Sequence, residues 1–339
     1  MALMLLTGPL SNNETISPDN AEQLQMIEIL KHKPWDLVMD VSWSPDGSIL
    51  AVSSGEYVRL YKSSNLALIK ELKIDSLSHS IKFSPDGKQL AVGSRDGVIR
   101  IWETSRILNT TSTSQEPDIQ IAAHKKGVNS IAFDSANHSI ASGGNDRVAK
   151  IWDIATGEYL VGLIGGGLTI PAVAFIPDDE TLALENGNVI RLREIGTERI
   201  SGTYLSEDPM FCLDLSPDGS LIAAGDLENR VMLWATSSAF RTGVEKMPEA
   251  EILKGHDGLP NSYESLVWDV QFNPAGDLIA SAGGDGTVQV WDVFRRELLA
   301  SFAAHPNGVT SIEFDPHGQI LASGGLDGTV KLWGIRNDY

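Results

Sequence analysis

The stretch Leu321-Ala-Ser-Gly-Gly-Leu-Asp-Gly-Thr-Val-Lys-Leu-Trp333 is one copy of a motif that recurs along the chain. Other copies read Ile279-Ala-Ser-Ala-Gly-Gly-Asp-Gly-Thr-Val-Gln-Val-Trp291 and Ile140-Ala-Ser-Gly-Gly-Asn-Asp-Arg-Val-Ala-Lys-Ile-Trp152. Aligned on the alanine of the apolar run, the units fall at Ala51, Ala91, Ala141, Ala183, Ala223, Ala280 and Ala322, spaced 40 to 57 residues apart. A repeat this short cannot bury its own hydrophobic face. It must stack on its neighbours, so the period constrains the architecture before any local reading.

A short alternating run precedes each alanine and ends on Trp43, Phe83, Phe133, Phe175, Leu215, Phe272 or Phe314. Between the two runs lies a turn, clearest in Ser44-Pro-Asp-Gly47, Ser84-Pro-Asp-Gly87 and Ser216-Pro-Asp-Gly219. Proline fixes φ at the second turn position and glycine admits positive φ, so the two runs predict a hairpin. A second turn, as at Leu326-Asp-Gly328, leads to a β-branched third strand that ends in Trp, and a weaker fourth strand follows. Four such strands make a blade. The expected fold is all-β: a seven-bladed β-propeller of four-stranded antiparallel blades.

The last unit lacks a fourth strand after Trp333, while a spare strand sits at 25–30. Pairing the two closes the ring and leaves no long edge open. Residues 21–339 are read as the propeller and 1–20 as a mobile tail. Deleting 21–31 is therefore expected to cost far more stability than deleting 1–15. Two longer connections, 104–117 and 235–248, are expected as flexible loops on the bottom face.

These features resemble the WD-repeat (WD40) β-propeller family over residues 24 to 335. The most specific marks are Trp152-Asp153, Trp291-Asp292 and Gly255-His256. The resemblance implies a buried hydrogen-bond chain in three blades: His124, Ser142, Asp146 and Trp152; His256, Ser281, Asp285 and Trp291; His305, Ser323, Asp327 and Trp333. Indole, hydroxyl, imidazole and carboxylate supply alternating donors and acceptors, so each buried polar group finds a partner. The other blades depart from the pattern. Blade 1 has Tyr61 for Trp, blade 2 has Val92 for Ser, blade 4 has Arg193 for Trp, and blade 5 has Ala224 and Glu228.

Chemistry is sparse. The net charge of −19 and the lack of a basic stripe argue against nucleic acid or an anionic membrane as partner. The single Cys212 excludes an internal disulfide, and its place in a first strand predicts a buried, inert thiol. No apolar run is long enough to span a bilayer, and Met1-Ala-Leu-Met-Leu-Leu6 lacks the basic start of a signal peptide. A cytoplasmic location is expected. No histidine pair has zinc spacing, so no metal is expected. Gly165-Gly-Gly167 is not followed by Lys-Ser/Thr, and no Gly-x-Ser-x-Gly elbow exists. No cofactor and no catalysis are expected. The alternative is a propeller enzyme or small-molecule sensor using the central channel. A convergent set of ionisable channel residues would favour it, and none is visible in the sequence.

The resemblance implies that partners bind the top rim of the channel. The matching positions are Leu37 and Met39 in blade 1, His79 and Arg95 in blade 2, and Asn129 in blade 3. Phe211 and Leu227 follow in blade 5, Leu266 and Trp268 in blade 6, and Leu326 in blade 7. Blades 2 and 3 are polar here, whereas blades 5, 6, 7 and 1 form an apolar arc. Among the eight tryptophans, Trp35 and Trp268 have no assigned structural task, and the long connection before blade 6 adds Tyr263. Apolar patches rich in aromatic residues are typical of protein-binding hot spots. The expected function is a non-catalytic interaction scaffold that binds a peptide or protein segment on the top face. It would act as a monomeric propeller within a larger complex. The plainer alternative is that Phe211 and Trp268 only plug the channel mouth.

Overall fold

Each repeat folds into one four-stranded antiparallel sheet, and seven such sheets form the ring. The computed structural model describes residues 14–33, 36–109, 116–165, 167, 169–236, 249–258 and 262–335, except the Tyr263 side chain. Trp35 falls outside this set. The innermost strands are Val38–Trp43, Ser78–Phe83, Val128–Phe133, Val173–Phe175, Met210–Leu215, Val267–Phe272 and Val309–Phe314. The Ser-Pro-Asp-Gly turns explain how each hairpin reverses. In the first, the Gly47 amide donates to the Ser44 carbonyl at 2.8 Å, Ser44 Oγ donates to Asp46 Oδ1 at 2.6 Å, and Gly47 sits at φ +69°.

The core lies between blades. One apolar cluster joins Ile49, Leu60 and Leu72 of blade 1 to Ile81, Phe83 and Trp102 of blade 2. A second strand such as Ile49–Ser54 is buried along its whole length. Both of its faces are covered, which is why it reads as an apolar run without alternation. Closure follows the expected route: Gln25–Lys31 pairs antiparallel with Thr329–Gly334 and completes blade 7. Ile27 of that strand is buried against Trp43, Val330 and Leu332.

Two expectations need correction. Residues 14–20 are not a free tail, because Ile16 is buried against blades 6 and 7 and its amide donates to the Gly318 carbonyl at 2.7 Å. The connection at 104–117 is not wholly a loop. It opens with a short helix, Thr104–Asn109, whose Ile107 packs into the cluster between blades 1 and 2. Residues 110–115 and 237–248 lie outside the described residues.

Blade 4 holds an anomalous group. Glu185 is fully buried, and among the described residues neither carboxylate oxygen has a hydrogen bond of good geometry. Burial drives its pKa well above the usual carboxylate range, with only slight opposition from the Gly187 amide. A folded-state pKa above the unfolded one means that stability falls as pH rises past the unfolded value. Replacing Glu185 by Met, of similar volume, is expected to raise stability by about 1–3 kcal/mol. Urea unfolding should show a larger gain at pH 8 than at pH 5. A variant no more stable than wild type at pH 8 overturns this reading.

Candidate functional site

The three predicted polar sets form continuous chains. In blade 3, Trp152 Nε1 donates to Ser142 Oγ at 3.0 Å, and His124 places Nε2 at 2.8 Å from that hydroxyl and Nδ1 at 2.7 Å from Asp146 Oδ1. In blade 6, His256 lies 2.7 Å from Ser281 Oγ and 3.2 Å from Asp285, and Trp291 donates to Ser281 at 3.1 Å. Blade 7 repeats the pattern among His305, Ser323, Asp327 and Trp333, with each link at 2.9 Å. Burial alone would raise Asp285 and Asp327, but the imidazole and turn hydrogen bonds outweigh it and hold both at about 2. The likeness among these three blades concerns stability, since each set is buried within its own blade.

A glycine three residues after the aligned alanine makes room for each histidine. A Cβ at Gly144 would lie 2.4 Å from the His124 ring, and Gly283 and Gly325 are equally close to His256 and His305. In the other four blades this position is Ser54, Ser94, Asn186 or Asp226. Blade 4 inverts the arrangement: the glycines move to the loop, and a Cβ at Gly165 would meet Asn186 Nδ2 at 2.1 Å. Blade 5 uses a buried ion pair, Asp226 with Arg230 at 2.6 Å. In blade 1, His32 Nε2 lies 2.9 Å from the Tyr61 hydroxyl, and Arg59 bridges Asp36 and Glu71. Blades 1, 4 and 5 thus fill the place of the missing polar set with other contacts.

The rim residues owe their placement to a repeated irregularity. In six blades the pairing of the first two strands skips one residue: Met39, His79, Asn129, Phe211, Trp268 or Thr310. A bulge adds a residue to one strand and re-aims its side chain. Here all six line one cavity of about 410 Å3, the central channel. Of the sequence-predicted rim residues, Met39, His79, Asn129, Phe211 and Trp268 therefore converge. Leu37, Arg95, Leu227 and Leu326 are outside that lining, although all four are at least partly exposed. Leu266 needs correction, because it is 4% exposed and presents no surface. The Tyr263 side chain lies outside the described residues, so its place at the rim is not part of the site. His79 is lowered by burial and by the Arg95 charge, so Arg95 is the cation on this side of the mouth.

Below the mouth the channel contains a cluster that sequence reasoning missed. Asp40, Lys82, Asp214, Asp269 and Glu313 come from five different blades and line the same cavity. Lys82 Nζ lies 3.7 Å from Glu313 Oε2. Neighbouring blades are joined here by side chains. The Ile81 amide donates to Asp40 at 2.8 Å, Phe272 to Asp214 at 2.8 Å, and Ile312 to Asp269 at 3.0 Å. Ser311 Oγ donates to Asp40 Oδ1 at 2.9 Å and closes the ring between blades 7 and 1. Burial raises Asp214 to about 6, Asp269 to about 7 and Glu313 to about 8, while the Lys82 charge opposes each shift. The signal was present in the sequence as polar residues at the third and fifth positions of the first strands. It could be recognised only after those strands were known to share one channel.

A larger depression, about 790 Å3, opens between blades 4 and 5 on the face opposite the mouth, among Asp178, Asp179, Glu194 and Arg199. Its charges are already engaged: Arg199 pairs with Glu194, and Asp179 accepts from Ser135. Among the described residues no group of three or more His, Cys, Asp or Glu is arranged to hold a metal ion, and no helix is long and apolar enough to cross a membrane.

Comparison with known proteins places the chain. The profile of the WD domain, G-beta repeat family matches residues 25–62, 74–103, 116–153, 199–235, 249–292 and 296–334. The gap at 154–198 contains the first three strands of blade 4, the unit that has lost most marks. Among curated relatives, the chain is 24% identical over 271 residues to periodic tryptophan protein 2 homolog of Dictyostelium discoideum, covering 77% of this chain and 27% of that protein. It is 24% identical over 212 residues to serine-threonine kinase receptor-associated protein of Gallus gallus, covering 62% and 54%. It is 25% identical over 271 residues to apoptotic protease-activating factor 1 of Danio rerio, covering 79% and 20%. The chain thus spans between about a fifth and about half of the length of these relatives. With seven closed blades and six matched repeats, the chain belongs to the WD domain, G-beta repeat (WD40) family of β-propellers.

Proposed function

We propose that this propeller is a non-catalytic interaction scaffold that takes a peptide or protein segment across the channel mouth. The observation that carries this reading is the run of six bulges, which aim unlike side chains at one opening. The repeat needs these side chains neither for its hairpins nor for its polar sets. Met39, Phe211 and Trp268 form the apolar anchor, and Arg95 receives an acidic group on the polar side. Each of the three apolar residues is half-buried at the mouth, so they are accessible and also pre-ordered. Pre-ordering lowers the entropy lost on binding. One relative is named for association with a serine-threonine kinase receptor, which fits a scaffold that works within a larger complex. Neither nucleic acid nor a membrane fits the net charge of −19.

Affinity capture with wild type and a Phe211→Ala/Trp268→Ala variant, read by mass spectrometry, identifies the segment. Against that segment, Trp268→Ala is expected to weaken binding by roughly 2 kcal/mol, about 30-fold. Phe294→Ala, at an exposed turn on the opposite face, should change nothing. Unchanged affinity of the folded Trp268→Ala protein refutes the anchor role. A second reading, a small-molecule sensor, is favoured by the ionisable cluster in the channel. Thermal stabilisation by a small ligand that is lost in Asp269→Asn but kept in Trp268→Ala would select it.

A further inference from the structure

Five ionisable side chains share the channel, and their charges do not balance. One ammonium, Lys82, faces four carboxyl groups, those of Asp40, Asp214, Asp269 and Glu313. These groups also bind the blades together: three of the carboxylates accept an amide of the next blade, and Asp40 accepts from Ser311 as well. Like charges gathered in a narrow channel, where these side chains are largely withdrawn from solvent, repel unless one of them takes a proton. A carboxyl that does so keeps one oxygen free to accept its amide, so the inter-blade bond survives while the repulsion falls.

We propose that this cluster is a pH-sensitive fastening of the ring, one that holds neighbouring blades more tightly when its carboxyls share a proton than when all four are ionised. The shifts already described run the same way, since Asp214, Asp269 and Glu313 are all raised. Lys82 is the counterpart: burial works against its charge, but the surrounding carboxylates outweigh that and raise it above the ordinary lysine value. Other titratable groups near the channel are few. His79 sits at the mouth and is lowered by burial and by the Arg95 charge, Cys212 and Glu185 are raised by burial, and Arg95 stands outside the lining, so Lys82 is the one cation at neutral pH among the described residues that line the channel. The innermost strands of blades 3 and 4, Val128–Phe133 and Val173–Phe175, carry no titratable side chain. Asp40 and Asp269 directly follow the bulge residues Met39 and Trp268, so the titrating groups lie one residue below the mouth.

The sign follows from linkage. A carboxyl whose folded pKa exceeds its unfolded pKa stabilises the folded state fully below the unfolded value, and that contribution is lost as pH rises from the unfolded value up to the folded values, here about 6 to about 8. Thermal unfolding of the full chain between pH 5 and 9 tests this. The wild-type midpoint should fall through the neutral range. Asp269→Asn and Glu313→Gln should each flatten that fall and melt above wild type at pH 8.5, while Lys82→Met should steepen it. Proton release gives a second readout: unfolding at pH 7.5 should release more protons from wild type than from Glu313→Gln, measured by calorimetry in buffers of different ionisation enthalpy, a difference to which Glu185 does not contribute. Parallel midpoint curves for the three variants, or equal proton release from wild type and Glu313→Gln, overturn the proposal. A change of slope in the carboxyl variants together with the difference in proton release upholds it.

Discussion

A chain that begins at residue 32 is expected to lose the closed ring, whereas one that begins at residue 21 keeps it. The difference between the two is the strand Gln25–Lys31. It pairs with Thr329–Gly334 at six registered positions and buries Ile27 against blades 1 and 7. Each hydrogen bond contributes about 1 kcal/mol net, and burying Ile27 adds roughly 1.5–3 kcal/mol. The total is comparable with the whole stability of a typical domain, about 5–15 kcal/mol. Loss of the strand also exposes the edge of Thr329–Gly334, which invites pairing between molecules. Among the described residues, starting at residue 21 removes the Ile16 contact, its bond to Gly318 and the local turn bonds of Ala21 and Gln23 to Ser17 and Asn20. Thermal unfolding with light scattering should show a midpoint lower by more than about 10 °C, or aggregation, for the chain starting at 32. Added peptide 21–31 should restore most of the loss. Equal midpoints in the two truncated chains refute this closure.

Trp291→Ala should be the most damaging single substitution among the polar sets, at about 3–5 kcal/mol, because it empties a large volume in the core between blades 5 and 6. A finer comparison separates the ring from its N–H. Trp291 donates to Ser281, which also touches His256, so Trp291→Phe breaks a buried chain and costs about 1–3 kcal/mol beyond packing. Trp234 holds the same place in blade 5 and is 1% exposed, yet its indole N–H has no hydrogen-bond partner among the described residues. Trp234→Phe should therefore cost distinctly less. Urea unfolding of the two phenylalanine variants measures the difference, and equal losses would show that the hydrogen-bond chain adds nothing.

The sequence carried the repeat, and with it the blade count, the strand order, the turns and the N-terminal strand that closes the ring. Turn chemistry and apolar periodicity are local properties, written within a few residues. It also carried the buried polar sets, since His, Ser, Asp and Trp recur at matching positions in three units. It misjudged residues 14–20 and 104–109, where Ile16 and Ile107 find partners far away in the chain. Polar sequence around a lone isoleucine looks like tail or loop until a surface is there to receive it.

The rim was legible as a ring of unlike residues, but not the means of aiming them. Strand alternation puts Met39 and Asp40 on opposite faces. Only the bulge, a property of paired strands, turns Met39, Phe211 and Trp268 to the opening while Asp40 and Asp269 stay below. The channel cluster belongs wholly to the tertiary structure. Asp40 and Glu313 are far apart in sequence, and each looks like an ordinary polar residue of its own strand. Ring closure brings five such strands around one narrow space, where charges that were independent along the chain must share a low dielectric. Sequence alone determined what each blade is, because a blade's turns and strand periodicity are written in local sequence. The mouth and the channel below it depend on contacts between repeats, and only the closed ring decided those.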